Sequence, residues 1–181
     1  VESGSTISAN TVAVFGDNTS DLTVTNSGTI TASGTTAIDV KGTTDATITN
    51  SSGGTISSNR NTIRISKTGS NNTTGLTITN SGTIKAIGSG SAIFSSAANS
   101  TATITNKAGG QITNSDNSNA TIRVGTSSTI VNSGTIKNTN SVNDDAIKLY
   151  GNNATITLKD GGIIVGKIDG LLRTGSTLKF N

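Results

Sequence analysis

The chain has 181 residues and a net charge of +3, with 13 Lys and Arg against 10 Asp and Glu. It carries 22 Gly, one Tyr, three Phe, and no His, Cys, Met, Trp or Pro. That composition excludes Ser-His and Cys-His catalysis, thiolate metal sites and a disulfide framework. The positive bias is far weaker than that of a nucleic-acid-binding domain.

Taken in chain order, short apolar-alternating runs recur between Gly, Asn and Ser clusters. Thr6-Ile7-Ser8 opens the series, and Val12-Ala-Val14 follows. Leu22-Thr-Val-Thr-Asn26-Ser-Gly-Thr-Ile30 then holds two runs separated by a turn. Ala46-Thr-Ile-Thr-Asn50-Ser-Ser-Gly-Gly-Thr-Ile56 repeats it with a longer turn. Further copies are Leu76-Thr-Ile-Thr-Asn80-Ser-Gly-Thr-Ile84, Ala102-Thr-Ile-Thr-Asn106-Lys-Ala-Gly-Gly-Gln-Ile112 and Thr129-Ile-Val-Asn132-Ser-Gly-Thr-Ile136. The last full copy, Ala154-Thr-Ile-Thr-Leu158-Lys-Asp-Gly-Gly-Ile-Ile164, lacks the Asn, and Thr177-Leu-Lys-Phe180 opens another. The equivalent position advances by 24, 30, 26, 26 and 26 residues. A fixed period of this size marks a repeat architecture.

A third run lies between copies: Ile38-Asp-Val40, Ile63-Arg-Ile65, Ile93-Phe94, Ile122-Arg-Val124 and Ile147-Lys-Leu149. Alternation with β-branched residues is a strand signal. Three strands per period predict an all-β, right-handed parallel β-helix of about seven rungs, stacked about 4.8 Å apart. The whole span, 1–181, is expected to be one β-helical region cut from a longer protein, because both end runs would expose open sheet edges. Leu22, Ala46, Leu76 and Ala102 alternate large and small at one inward position, which lets neighbouring layers interdigitate.

Asn26, Asn50, Asn80, Asn106 and Asn132 align at the end of the first strand. Asn tolerates a left-handed corner, and its amide can donate to the next rung, so these five are expected to form an internal ladder. Leu158 is expected to interrupt it. The Gly-Gly pairs at 53–54, 109–110 and 161–162 read as turn glycines. None lies between a strand and a helix, as a phosphate loop requires.

The outward position of the third strand is the candidate binding face, read in rung order as Ala13, Asp39, Arg64, Phe94, Arg123, Lys148. Lys85 and Lys137 join it from the second strand. Arg64 and Arg123 are expected about 10 Å apart with Phe94 between them. A basic strip with an aromatic suits an acidic glycan or an acidic receptor face; a charged outer face that keeps a long sheet soluble is the alternative. Asp144 and Asp145 read as a solvated turn rather than a catalytic pair. The outward Thr pairs of the first strand suit exposed β-structure, and such a face can also bind ice. Cofactors, metals and catalysis are not expected.

The Asn-Ser-Gly-Thr-Ile motifs, the Ala-Ile-x-Val runs and Leu158-Lys-Asp-Gly-Gly-Ile-Ile-Val-Gly-Lys-Ile-Asp-Gly170 together resemble bacterial autotransporter passenger domains. The related two-partner-secreted haemagglutinins are also β-helical. The resemblance covers nearly the whole chain. It implies type V secretion from a Gram-negative bacterium, a secreted or cell-surface location, and a translocator barrel elsewhere in the parent protein. It further implies an adhesin or virulence-associated ligand of a host-cell surface receptor or glycan. Self-association between bacteria and a toxin-like passenger are the alternatives within the family.

Overall fold

The computed structural model describes residues 1–170 and 172–181. Among the described residues there is no helix: the secondary structure consists of three parallel seven-stranded sheets wound into a β-solenoid of about seven turns. The first sheet stacks β1 (Thr6–Ala9), β4 (Thr29–Ala32), β7 (Thr55–Ser58), β10 (Thr83–Ala86), β13 (Gln111–Asn114), β16 (Thr135–Asn138) and β19 (Ile163–Val165). The second stacks β2 (Val12–Asp17), β5 (Thr36–Lys41), β8 (Ile63–Ser66), β11 (Ile93–Ser95), β14 (Ile122–Val124), β17 (Asp145–Leu149) and β20 (Lys167–Asp169). The third stacks β3 (Thr23–Asn26), β6 (Thr47–Asn50), β9 (Leu76–Asn80), β12 (Ala102–Asn106), β15 (Thr129–Asn132), β18 (Thr155–Leu158) and β21 (Thr177–Phe180). Each turn of the solenoid takes one strand from each sheet, as the repeat predicts.

Like residues stack on like. Ile30, Ile56, Ile84, Ile112 and Ile136 form one inward column of the first sheet. Ile48, Ile78, Ile104, Ile130 and Ile156 form another in the third. All ten are fully buried. A β-branched side chain fits a pleated surface, and each such burial is worth about 1.5–3 kcal/mol. Leu76 lies in register with Ala102, so the large-small alternation falls between adjacent rungs.

The left-handed corner is not where the sequence places it. The ladder asparagines are absent from the residues with positive φ. That conformation falls instead on the residue two before the first outward Thr of six of the seven third-sheet strands, all but β12: Asp21, Asp45, Gly75, Ser127, Asn153 and Gly175, with φ between 52° and 69°. Short polar residues and Gly tolerate this region. The Asn column therefore serves through its amides. Gly53, Gly109 and Gly161 have φ of 81°, 80° and 73°, so the first Gly of each Gly-Gly pair makes its turn.

Candidate functional site

The outward column of the second sheet begins one pair later than the sequence alignment places it. Val14 pairs with Ile38, Phe15 with Asp39 and Gly16 with Val40. Phe15, not Ala13, therefore heads the column, and it is 56% exposed. The reason is Gly16. It takes an inward position where the next rung has Val40, and a Cβ there would lie 2.7 Å from Leu22 Cδ2. Leu22 fills the space, so the inward alternation reads Val14, Gly16 rather than Val12, Val14. From Phe15 upward the register runs Asp39, Arg64, Phe94, Arg123, Lys148, Asp169.

Most of the charge in this column is paired. Arg64 Nε donates to Asp39 Oδ1 at 3.0 Å, and Arg64 Nη2 donates to Asp39 Oδ2. Asp39 is 1% exposed, whereas the Arg64 side chain keeps 40% of its surface. The bond to Asp39 holds the Arg64 pKa above its ordinary value, against the burial that lowers it. A two-pronged guanidinium–carboxylate contact is the geometry in which a charged pair is strongest. Higher up, Lys148 Nζ lies 2.8 Å from Asp169 and 3.8 Å from Asp145. Lys167 reaches the other Asp145 oxygen at 3.9 Å. The Lys148 bond holds the Asp169 carboxyl below its ordinary range.

Asp145 is therefore not part of a solvated turn. It opens β17, and the pairing of β17 with β20 slips between Asp145 and Ile147. Such a bulge re-aims a side chain. Here it accompanies the contacts of Asp145 with both lysines.

Arg123 differs from its neighbours. Its guanidinium carbon sits 5.0 Å from the centre of the Phe94 ring and 3.8 Å from that of Tyr150. Its Nε is buried and has no hydrogen-bond partner. Tyr150, just beyond β17, was not apparent from the sequence as part of this face. Lys85 and Lys137 lie elsewhere. They are exposed on β10 and β16 of the first sheet, in register with Thr113 between them. The six candidate residues thus occupy two sheets, and four of them share a column.

The Asn column is a continuous hydrogen-bonded file. Asn26 donates to Asn50 Oδ1 at 2.9 Å, Asn50 to Asn80 at 2.9 Å, Asn80 to Asn106 at 2.8 Å and Asn106 to Asn132 at 2.8 Å. All five are fully buried. Leu158 pairs with Asn132, whose amide turns to Ile163 O at 3.0 Å. A shorter file, unread in the sequence, stands at the end of the first-sheet strands. Asn114 and Asn138 are buried and in register, and they donate to Asn119 O and Asp116 O at 2.8 and 3.0 Å. They support the corner segments 115–120 and 139–144, where the repeat is interrupted. Asn-Ser after Thr113 was the available signal.

Two surface hollows lie near these elements. One, about 330 Å³, is lined by Ile87, Gly88, Ser89, Ser115, Asp116, Asn117 and Asn140. The other, about 480 Å³, lies over Asp145, Lys167, Ile168 and Asp169. Among the described residues no group of three or more Asp or Glu is placed to hold a metal ion. The fold and this face define a β-solenoid with one aromatic and charged column on an otherwise Ser- and Thr-rich exterior. Comparison with protein families, curated proteins and solved structures gave no match.

Proposed function

We propose that this chain is a binding region of a secreted or surface-displayed protein of a Gram-negative bacterium, of the autotransporter type, acting as an adhesin or host-cell receptor ligand. What carries the reading is a concentration of side chains. The chain has only four aromatic residues. Phe15, Phe94 and Tyr150 gather at the outward column of the second sheet with Arg64, Arg123 and Lys148. Aromatic and Arg residues are those most enriched at binding surfaces. No catalytic role is proposed for any residue.

The test is binding of the labelled chain to host cells by flow cytometry. Replacing Arg64, Arg123 and Lys148 together with Ser is expected to reduce it strongly. Replacing Lys67 and Lys107, which lie outside the strands, is expected to do little. Equal losses would reduce the effect to net charge, and undiminished binding by the triple variant would place the partner elsewhere.

A second reading, self-association, has its own observation. Thr23, Thr47, Thr77, Thr103, Thr129, Thr155 and Thr177 form an unbroken column on the third sheet. Among the described residues only the Thr23 hydroxyl bonds within the chain, to Asp21 O at 3.4 Å. Sedimentation of a monomer at all concentrations favours host binding. Dimers abolished by Thr77→Lys with Thr103→Lys would favour self-association.

A further inference from the structure

We propose that Arg123 is a preformed hook for one carboxylate carried on a sugar ring, so that the ligand of this face is an acidic sugar at the end of a glycan. The inference rests on the binding reading above and names its ligand.

The guanidinium stands 5.0 Å from the Phe94 ring centre and 3.8 Å from that of Tyr150. Aromatic stacking holds the planar fork in place before a ligand arrives, so less freedom is lost on binding. Its Nε is buried without a partner, which leaves its hydrogen-bonding capacity unspent inside the protein. The adjoining cations of the column are occupied: Arg64 by Asp39, and Lys148 by Asp169 and Asp145. Between Asp39 and Asp169, among the described residues, Arg123 is the one cation in the column without a carboxylate.

That arrangement selects among anionic ligands. A sulfated polymer draws its affinity from several open cations in a row. This column opens only one, with Asp39 and Asp169 at its two ends. A single carboxylate fits, taking two parallel N–H bonds from the fork. A peptide would add to an open strand edge, but β14 is paired on both sides, with β11 and β17. A pyranose ring needs no edge. Its apolar face can lie against the aromatic flank, and its hydroxyls can meet the Tyr150 hydroxyl, which among the described residues makes no hydrogen bond within the chain.

The test titrates the chain with sialyllactose, which has one carboxylate, with lactose, which has none, and with a heparin-derived hexasaccharide, by calorimetry at physiological salt. Sialyllactose is expected to bind and lactose not. Arg123→Lys keeps the charge but loses the fork, and should weaken sialyllactose binding about tenfold or more. Tyr150→Leu, which loosens the clamp, should weaken it about threefold. Lys85→Ser with Lys137→Ser removes two exposed charges from the neighbouring sheet and should change it by less than about twofold. Wild-type affinity in Arg123→Lys, equal binding of lactose, no binding of sialyllactose, or tighter binding of the heparin fragment would each overturn the hook. Host-cell binding before and after sialidase separates this from the broader reading. Cell binding that survives both sialidase and Arg123→Lys overturns the hook and leaves adhesion in place. Arg123-dependent sialyllactose binding without cell binding upholds the hook and sinks adhesion.

Discussion

The Asn80 amide donates to Asn106 Oδ1 at 2.8 Å, and neither side chain touches solvent. The same amide donates to Gly82 O and Gln111 O, both at 3.1 Å, while Asn80 Oδ1 accepts from Asn50. One side chain thus ties its own turn to the rungs on both sides. Asn80→Ala would take the donor from buried Asn106 Oδ1 and remove one hydrogen bond each from the Asn50 amide, Gly82 O and Gln111 O. The expected loss is about 1–3 kcal/mol, read from urea unfolding. A midpoint equal to wild type would mean that the file contributes nothing to stability.

Gly75 tests the left-handed column. Its φ is 68°, and a Cβ there would lie 2.2 Å from Asp45 Oδ1 in the rung below. Gly53 has a φ of 81° but open space around the same position. Gly53→Ala should therefore cost only the conformational strain, about 1–2 kcal/mol. Gly75→Ala adds a clash with a neighbouring side chain and should cost clearly more. Equal unfolding midpoints for the two variants would mean that Asp45 moves aside freely.

The solenoid itself was legible because its cause is periodic. Ile and Val at fixed offsets set the strands, and the Asn column marked its own alignment from Asn26 to Asn132. The binding face was only partly legible. Its register from Asp39 to Lys148 follows from the apolar neighbours of each residue. Phe15 was missed because Gly16 occupies an inward position without an apolar side chain, a substitution that depends on Leu22 from the next strand. The adjacency of Asp39 and Arg64 was legible in that register, but the pairing of Lys148 was not. Asp39 and Arg64 are 25 residues apart and meet only through the stacking. Asp169 and Tyr150 enter through a bulge and a strand end, where alternation carries no signal.

The Asp39–Arg64 pair is asymmetric in burial, and its two halves should respond differently. Removing the arginine strands a carboxylate with 1% exposure. Removing the carboxylate frees an arginine that already reaches water. Arg64→Leu should cost about 3 kcal/mol or more, the usual result of leaving a buried charge alone. Asp39→Asn should cost about 1 kcal/mol, closer to an exposed pair. Urea unfolding of both variants decides it. Equal losses would indicate that Arg64 is held in place by packing as well as by its partner.

Asp169 links this face to pH. Its carboxyl is lowered first by the hydrogen bond from Lys148, against the small burial that raises it. The folded pKa lies below the unfolded one, so the contribution is present above the ordinary carboxylate range and is lost as pH falls through the folded value. The side chain is 50% exposed, and solvent screening keeps the effect small. Asp169→Asn should be less stable than wild type at neutral pH by under about 1 kcal/mol. The gap should close as pH falls below the ordinary carboxylate range and through the lowered folded pKa, where wild type also becomes neutral at this position. At neutral pH it should also shrink in about 1 M salt, where the Debye length falls to about 3 Å. Unfolding midpoints of the two proteins across pH and salt measure both trends. A gap that ignores pH and salt would mean that the charge of Asp169 contributes nothing to stability.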